Sequence, residues 1–411
     1  MSWLNKKHVL STVGLLFALA SGGGFAQDAK SAASAEEEVV AFKAPPRTIK
    51  DVIRAVENGK VDEAEVARAK EVIALPVPQT TDSAELRKYY LQRAEAHQRM
   101  GQIALAIQDM RLVTSKYPSS IPQFMVNDWS TLARFEQRGG SMIKAIEAIE
   151  KARSSINRNI LGNYMFINRL AVGFYSQLGD FEAAEKSLRE AEATMVILRG
   201  SPNLGLYGKS WEADLDAARG IYFMYQGKWI EAERSLRRAI RLRRENWELI
   251  ESTPLANTED AKTVRSRQKL GFKQEVAYRQ LDLSHAILMQ GRLVEAEVNA
   301  RDGLALMLEV FNKNSTEVAN ALNRLTRIVS EQGRAAEAVM LAEETIKTLK
   351  AGNAADEAIS YVNARKSLGA ALVSDRKFKQ ADAVFVEMKS GIEKQVAAGE
   401  KKIPSTDLDW V

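Results

Sequence analysis

A glycine followed five residues later by an alanine recurs along this chain, each time flanked by aliphatic-rich stretches of helical period, and no other feature restricts its fold so tightly. The glycine falls at Gly59, Gly101, Gly140, Gly179, Gly227, Gly291 and Gly333, with Arg376 in the slot of an eighth copy. The matching alanines are Ala64, Ala106, Ala145, Ala184, Ala232, Ala296, Ala338 and Ala381. Alanine makes up 57 of the 411 residues, about one in seven, so a full set of matches is not a compositional accident. Successive anchors lie 42, 39, 39, 48, 64, 42 and 43 residues apart, the period of a repeat architecture.

Each copy reads as a helical hairpin. In the second, Tyr90, Ala94 and His97 share a face before Gly101, Ala106, Met110 and Val113 share a face after it, and Pro118 stops the second helix. Glycine permits the positive φ that ends the first helix, and the small alanine lets the second helix cross close to it. Such a hairpin leaves an apolar side bare, so copies must stack, and the stack is a solenoid. The longer spacings place extra residues at 200–210 and 245–272, which Pro202 and Pro254 mark as loops or lengthened helices between copies.

The pattern resembles the tetratricopeptide repeat (TPR) family. Ala94, Gly101 and Ala106 match its small residue before the turn, turn glycine and close-packing alanine. Trp129, Ala133, Gly140, Ala145 and Ala152 match in the third copy, and Tyr175, Gly179, Ala184 and Ala191 in the fourth. Units near 42 residues, with Glu317 to Asn323 leading to Gln332-Gly333-Arg334, are similar to the kinesin-light-chain type. The resemblance implies an all-α TPR α-solenoid, a right-handed superhelix of about eight hairpins over residues 47–395. Departures are Arg376 in a glycine slot and closing prolines at Pro76 and Pro118 alone.

Composition narrows the function. With 45% hydrophobic and 27% charged residues the chain can bury a continuous core. The absence of cysteine removes disulfides, thiolate zinc sites, iron–sulfur clusters and thiol nucleophiles. Lys6, Lys7 and His8 precede an apolar run from Val9 to Ala20, and Gly24-Phe25-Ala26 is a small-x-small cleavage site before Gln27. Residues 1–26 therefore read as a signal peptide, because the run is shorter than the ~20 residues that span a bilayer; the alternative is an uncleaved anchor. The expected mature chain starts at Gln27, is periplasmic or extracellular, and carries no transmembrane segment. Loss of Lys6 and Lys7 changes the balance from 58 against 53 to 56 against 53, a net +3 that does not argue for nucleic acid. Residues 27–46, with Glu36-Glu37-Glu38 and Pro45-Pro46, read as a flexible leader. In the tail 396–411, Ser405, Thr406 and Asp407 before apolar residues are the chemistry of a helix start.

Catalytic chemistry is not found. Gly208-Lys209-Ser210 resembles the end of a phosphate loop, yet the required first glycine is Asn203 and no strand precedes it. His97 occupies the slot of Tyr175 and Phe223 in other copies, a core-facing ring, and His285 shares no spacing with a second metal or triad partner. Asp214 and Asp216 are two apart on a helix and point different ways. No enzyme, metal or cofactor follows.

Binding is better supported. In a TPR solenoid the first helices line a concave groove, so the resemblance implies that residues ten and six before each anchor face a partner. Those slots hold Leu91 and Glu95, Ser130 and Arg134, Arg169 and Gly173, Ala217 and Ile221, Leu281 and His285, Asn323 and Arg327, Lys366 and Ala370. Asn320, Asn323, Arg324 and Arg327 form one stripe, and Asn363 and Lys366 take equivalent slots in the next copy. These six are the expected site for backbone carbonyls or a carboxylate of a protein or peptide; in the alternative, Arg324 and Arg327 pair with acids such as Glu331. A second stripe, Arg234, Arg237, Arg238, Arg241 and Arg244 with Arg243 beside it, reads either as a solvated face paired with Glu231, Glu233 and Glu245 or as a docking surface for an acidic protein or anionic headgroup.

The leader, Pro45-Pro46-Arg47-Thr48-Ile49, a short opening repeat and long units also resemble the exported arms of bacterial proteins that carry a caspase-like (CHAT) peptidase domain. The His-Cys dyad of that family has no counterpart in a chain without cysteine. The leading expectation is a non-catalytic exported TPR scaffold; the competing one is the sensing arm of such a peptidase, which sequence beyond Val411 separates.

Overall fold

The computed structural model describes residues 44–46, 48–59, 63–156, 161–254, 259–352, 354 and 358–397. The predicted signal peptide, nearly all of the leader and the tail from 398 lie outside the described residues. What is described belongs to one unit, Lys43–Val411. Among the described residues every regular element is an α-helix.

Fourteen helices pair as seven antiparallel hairpins. They are α3 (Ser83–Arg99) with α4 (Ile103–Ser115), α5 (Pro122–Arg138) with α6 (Met142–Ser154), and α7 (Leu161–Leu178) with α8 (Phe181–Leu198). Then come α9 (Leu204–Tyr225) with α10 (Trp229–Ser252), α11 (Glu259–Leu288) with α12 (Leu293–Val310), α13 (Thr316–Glu331) with α14 (Ala335–Ala351), and α15 (Ile359–Ser374) with α16 (Phe378–Ala397).

One turn design serves all seven. Gly101, Gly140, Gly179, Gly227, Gly291 and Gly333 have φ between 71° and 96°. This left-handed conformation lets the following N–H reach back five residues to a carbonyl of the last helical turn, as Gln102 does to His97 at 2.9 Å and Asp180 to Tyr175 at 2.9 Å. Arg376 adopts the same conformation at φ 60°, with Lys377 bonded to Leu372 O at 2.8 Å. It does so without glycine's freedom, a strained position. The anchor alanines from Ala106 to Ala381 are at most 2% exposed, because a larger side chain there would wedge the two helices apart. The side chain of Ala64 lies outside the described ones.

The opening copy departs from expectation. Helix α1 (Lys50–Glu57) does not form a hairpin with α2 (Glu63–Ala74), and Gly59 is not at positive φ. Instead α2 packs on α3, with Tyr89 Oη donating to Leu75 O at 2.8 Å. Helix α1 buries Ile49, Val52 and Val56 in the core of α12 to α14. Arg301 holds it by bonds to Asp51 at 2.6 Å and Thr48 O at 2.8 Å, Lys313 bonds Glu57 O at 2.7 Å, and the Ile49 N–H donates to Glu337 at 3.2 Å. The Gly-x4-Ala match at 59–64 is local, whereas the apolar face of α1 packs on helices distant in the chain.

The lengthened spacings are lengthened helices. Helices α9, α10 and α11 run 22, 24 and 30 residues, so the chain at 204–210 and 245–252 continues helical and α11 begins at Glu259. Gly208-Lys209-Ser210 sits inside α9, not in a phosphate-binding loop. The stack also closes on itself. Arg138, at the end of α5, donates to Tyr278 Oη of α11 at 3.1 Å and pairs with Glu317 of α13 at 3.0 Å. The turn at Gly101 abuts the Gly352 carbonyl beyond α14. Hairpins far apart in the chain therefore meet around a shared groove walled by first helices.

Candidate partner-binding groove

The groove is lined with charge that the fold only partly neutralises. On α7, Arg169 is 5% exposed; its Nε lies 3.0 Å from Asp214 of α9 and its Nη2 3.1 Å from Glu275 of α11. Arg243 of α10 shares Asp214 at 2.8 Å and donates to Ser210 Oγ at 2.6 Å. Burial by itself would raise the Glu275 carboxyl, yet Arg169, Arg279, Arg243 and Arg134 together hold it down at about 2. Of the four, Arg169 lies within ion-pair distance of Glu275; the others act on it through space.

Arg134 of α5 has no ion-pair partner among the described residues. Its bonds go to its own helix, to Ser130 O at 3.4 Å and Thr131 Oγ1 at 3.2 Å. Burial first, then neighbouring Arg138, lower its pKa to about 10. These groups border a cavity of about 360 Å³ whose remaining walls include Phe166, Tyr207, Trp247 and Phe272. Trp247 and Phe272 stack at 5.3 Å between centroids. Every aromatic wall apart from Phe166 comes from the lengthened parts of α9, α10 and α11. The slot pattern points to Arg134 and Arg169 but not to Trp247, Phe272 or Glu275, because inserted turns have no repeat register; the available signal is the spacing of 48 and 64 residues.

The expected six-residue site falls mainly on α13. Asn320 and Arg327 are exposed, and Asn323 and Arg324 are half-buried. Arg324 and Arg327 do not pair with Glu331 and make no ion pair among the described residues, while the Asn323 Oδ1 is buried without a donor. His285 of α11 completes this patch: its ring meets Trp229 edge-on at 5.7 Å. Burial, then Arg324 and Arg327, push its pKa down to about 2, so it is neutral. Burial and Arg327 likewise lower Arg324 to about 10. Asn363 and Lys366 are half-buried on α15, which packs against α13 as adjacent copies should.

The second stripe is largely committed to acids. Arg237 pairs with Glu233 at 2.8 Å and with Glu295; Arg238 pairs with Glu212 and Asp216, both at 3.1 Å; Arg241 lies 3.8 Å from Glu245. Arg234 and Arg244 face solvent, and Arg243 turns to the cavity. Most of the stripe is therefore a solvated, paired face. Asp214 and Asp216 do point apart, one to Arg169 and Arg243, the other to Arg219 and Arg238. His97 is a core ring, 7% exposed and 2.7 Å from Gln102.

One repeat unit matches a known family model. Residues 318–351, one full unit over α13 and α14, match the family model described as tetratricopeptide repeat. No curated protein matches the chain. Among solved structures, BtubC (BKLC) from P. vanneervenii is similar over 66% of this chain and 94% of its own, at 16% identity and a TM-score of 0.43. A Podosopora anserina putative kinesin light chain with nearly identical TPR-like repeats covers 56% and 94%, at 14% identity and 0.38. A Rap protein complexed with competence and sporulation factor covers 85% and 91%, at 13% identity and 0.46. The expected tetratricopeptide-type repeats are borne out.

Proposed function

We propose that this stack of tetratricopeptide-type repeats is a non-catalytic, exported scaffold that binds a protein or peptide partner in its groove. The observation that carries the reading is a contrast in pairing. Groove guanidinium groups at Arg134, Arg324 and Arg327 lack acidic partners among the described residues, whereas Arg237 and Arg238 of the 234–244 stripe are neutralised within the fold. Unpaired, partly desolvated arginine is costly in the free protein and strong in recognition of carbonyls and carboxylates. Among the described residues no helix is long and apolar enough to cross a membrane.

The test is capture from periplasmic or culture-fluid extract. Asn323→Ala with Arg327→Ala should abolish recovery of a partner while leaving the melting temperature nearly unchanged, since Arg327 is exposed and the Asn323 Oδ1 has no donor to lose. Undiminished capture by that folded variant would move the contact to the arginines at 234–244. Mass analysis of fractionated cells checks export: a mature terminus at Gln27 outside the cytoplasm is expected, and full-length cytosolic chain overturns it. The peptidase-arm alternative rests on the sequence layout at 45–58.

A further inference from the structure

The cavity between α5, α7 and the lengthened turns of α9 to α11 has the makings of a separate small-ligand site. Its volume, about 360 Å³, lies at the lower end of ligand pockets. Its polar side holds three guanidinium groups, Arg134, Arg169 and Arg243, against two carboxylates, Asp214 and Glu275, an excess of one positive charge. The excess is localised. Arg169 and Arg243 both have an acidic partner: each is ion-paired to Asp214, Arg169 also to Glu275, and Arg243 donates to Ser210 Oγ as well. Arg134 has an acceptor for two of its five N–H groups, both acceptors on its own helix. The other three have none among the described residues. The same cavity is lined by a flat apolar surface, the Trp247–Phe272 stack, with planes 19° apart.

We propose that this cavity binds an organic monoanion in which a carboxylate sits next to an aromatic group, the carboxylate on Arg134 and the ring against Trp247 and Phe272. One unmatched positive charge fits one negative charge, and the planar fork of arginine fits a carboxylate in two-point contact. A flat aromatic wall favours a flat group over a branched chain. Such a ligand is either a free aromatic acid or a peptide ending in an aromatic residue. The proposal deepens the groove-binding reading but is tested apart from it.

The probes are 3-phenylpropionate, its amide, and a blocked tripeptide with C-terminal phenylalanine, titrated into the full chain by calorimetry and by Trp emission. For eleven heavy atoms, ordinary ligand efficiency places 3-phenylpropionate in the range of about 1–10 mM. The neutral amide should bind at least ~10-fold more weakly, because it forfeits a charge-assisted bond. Arg134→Gln should reduce the acid to the level of the amide, and Trp247→Phe should remove the emission change while calorimetric binding persists. A tripeptide that binds more tightly than the free acid assigns the site to chain ends, and the reverse assigns it to free acids. Equal binding of acid and amide to the wild type, or no binding of any probe at ~50 mM, well above the expected range, overturns the proposal. Retained acid binding with no partner captured by the groove overturns the scaffold reading instead.

Discussion

Replacing Gly101 by alanine probes whether the first hairpin and the loop after α14 are held together. Gly101 sits at φ +75°, where an L side chain costs ~1–2 kcal/mol. Its Cβ would also fall on the Gly352 carbonyl oxygen, far inside van der Waals separation. Gly291 and Gly333, at φ +77° and +76°, have no atom within 4 Å of a built Cβ, so their alanine variants carry the conformational cost alone. The Gly101 clash is with backbone atoms and no rotamer change can relieve it. The two segments must part, which adds ~1–3 kcal/mol, the usual range for forcing extra volume into packed structure. Gly101→Ala should therefore lose ~2–5 kcal/mol where the controls lose ~1–2. Urea unfolding followed by circular dichroism reads the midpoints, and small-angle scattering without denaturant reads the curl. A larger midpoint drop with an increased radius of gyration is expected for Gly101→Ala alone. Equal midpoint shifts in all three variants, with unchanged scattering, would refute the closure.

Three further outcomes follow from named residues. Arg376→Gly relieves the one described non-glycine residue at positive φ and should raise stability by ~0.5–1 kcal/mol in urea, after allowance for the entropy glycine adds to the unfolded chain; a lower midpoint contradicts the strain. Ala184→Leu, at a fully buried crossing of α7 and α8, should cost ~1–3 kcal/mol, and wild-type stability would mean that the helices do not cross closely there. The Glu275 carboxyl is held at about 2 against an ordinary 4.5, so its stabilising charge is fully present above pH about 4.5 and is lost as pH falls toward 2. Glu275→Gln should flatten the loss of stability over that window, and an unchanged acid limb would show that the arginine cluster does not hold that proton off.

The repeat was legible because its two fixed positions answer to backbone geometry. A positive φ selects glycine, a close helix crossing selects alanine, and both leave a mark at a fixed offset. Arg376 could be placed by register even without the glycine. The misreading of Gly59 and Ala64 shows the limit of that rule: two residues can match an offset while the helix before them packs elsewhere, and Ile49, Val52 and Val56 advertise an apolar face without naming what covers it. Likewise Arg237 and Arg238 draw on Glu295, Glu212 and Asp216 from neighbouring helices, so their neutralisation was only half visible in the nearby Glu231, Glu233 and Glu245. The cavity was least legible. Excess spacing announces additional chain, but whether that chain is loop or helix, and which wall it builds, depends on tertiary packing.

The strap formed by α1 changes how such a stack must assemble. A solenoid held by nearest-neighbour contacts has low contact order and can gain or lose end repeats piecemeal. Here the bonds of α1 span 250 to 288 positions, from Asp51 to Arg301 and from Ile49 to Glu337. The loop-closure entropy of that span must be met before any of those contacts forms, after which α1 and the α12 to α14 segment melt together rather than singly. During synthesis, at ~5–20 residues per second, the first described helix waits on the order of ten seconds or more before the ribosome has delivered the surface it needs. Through that interval its apolar face is open to chaperones and to the same surface on another copy of the chain.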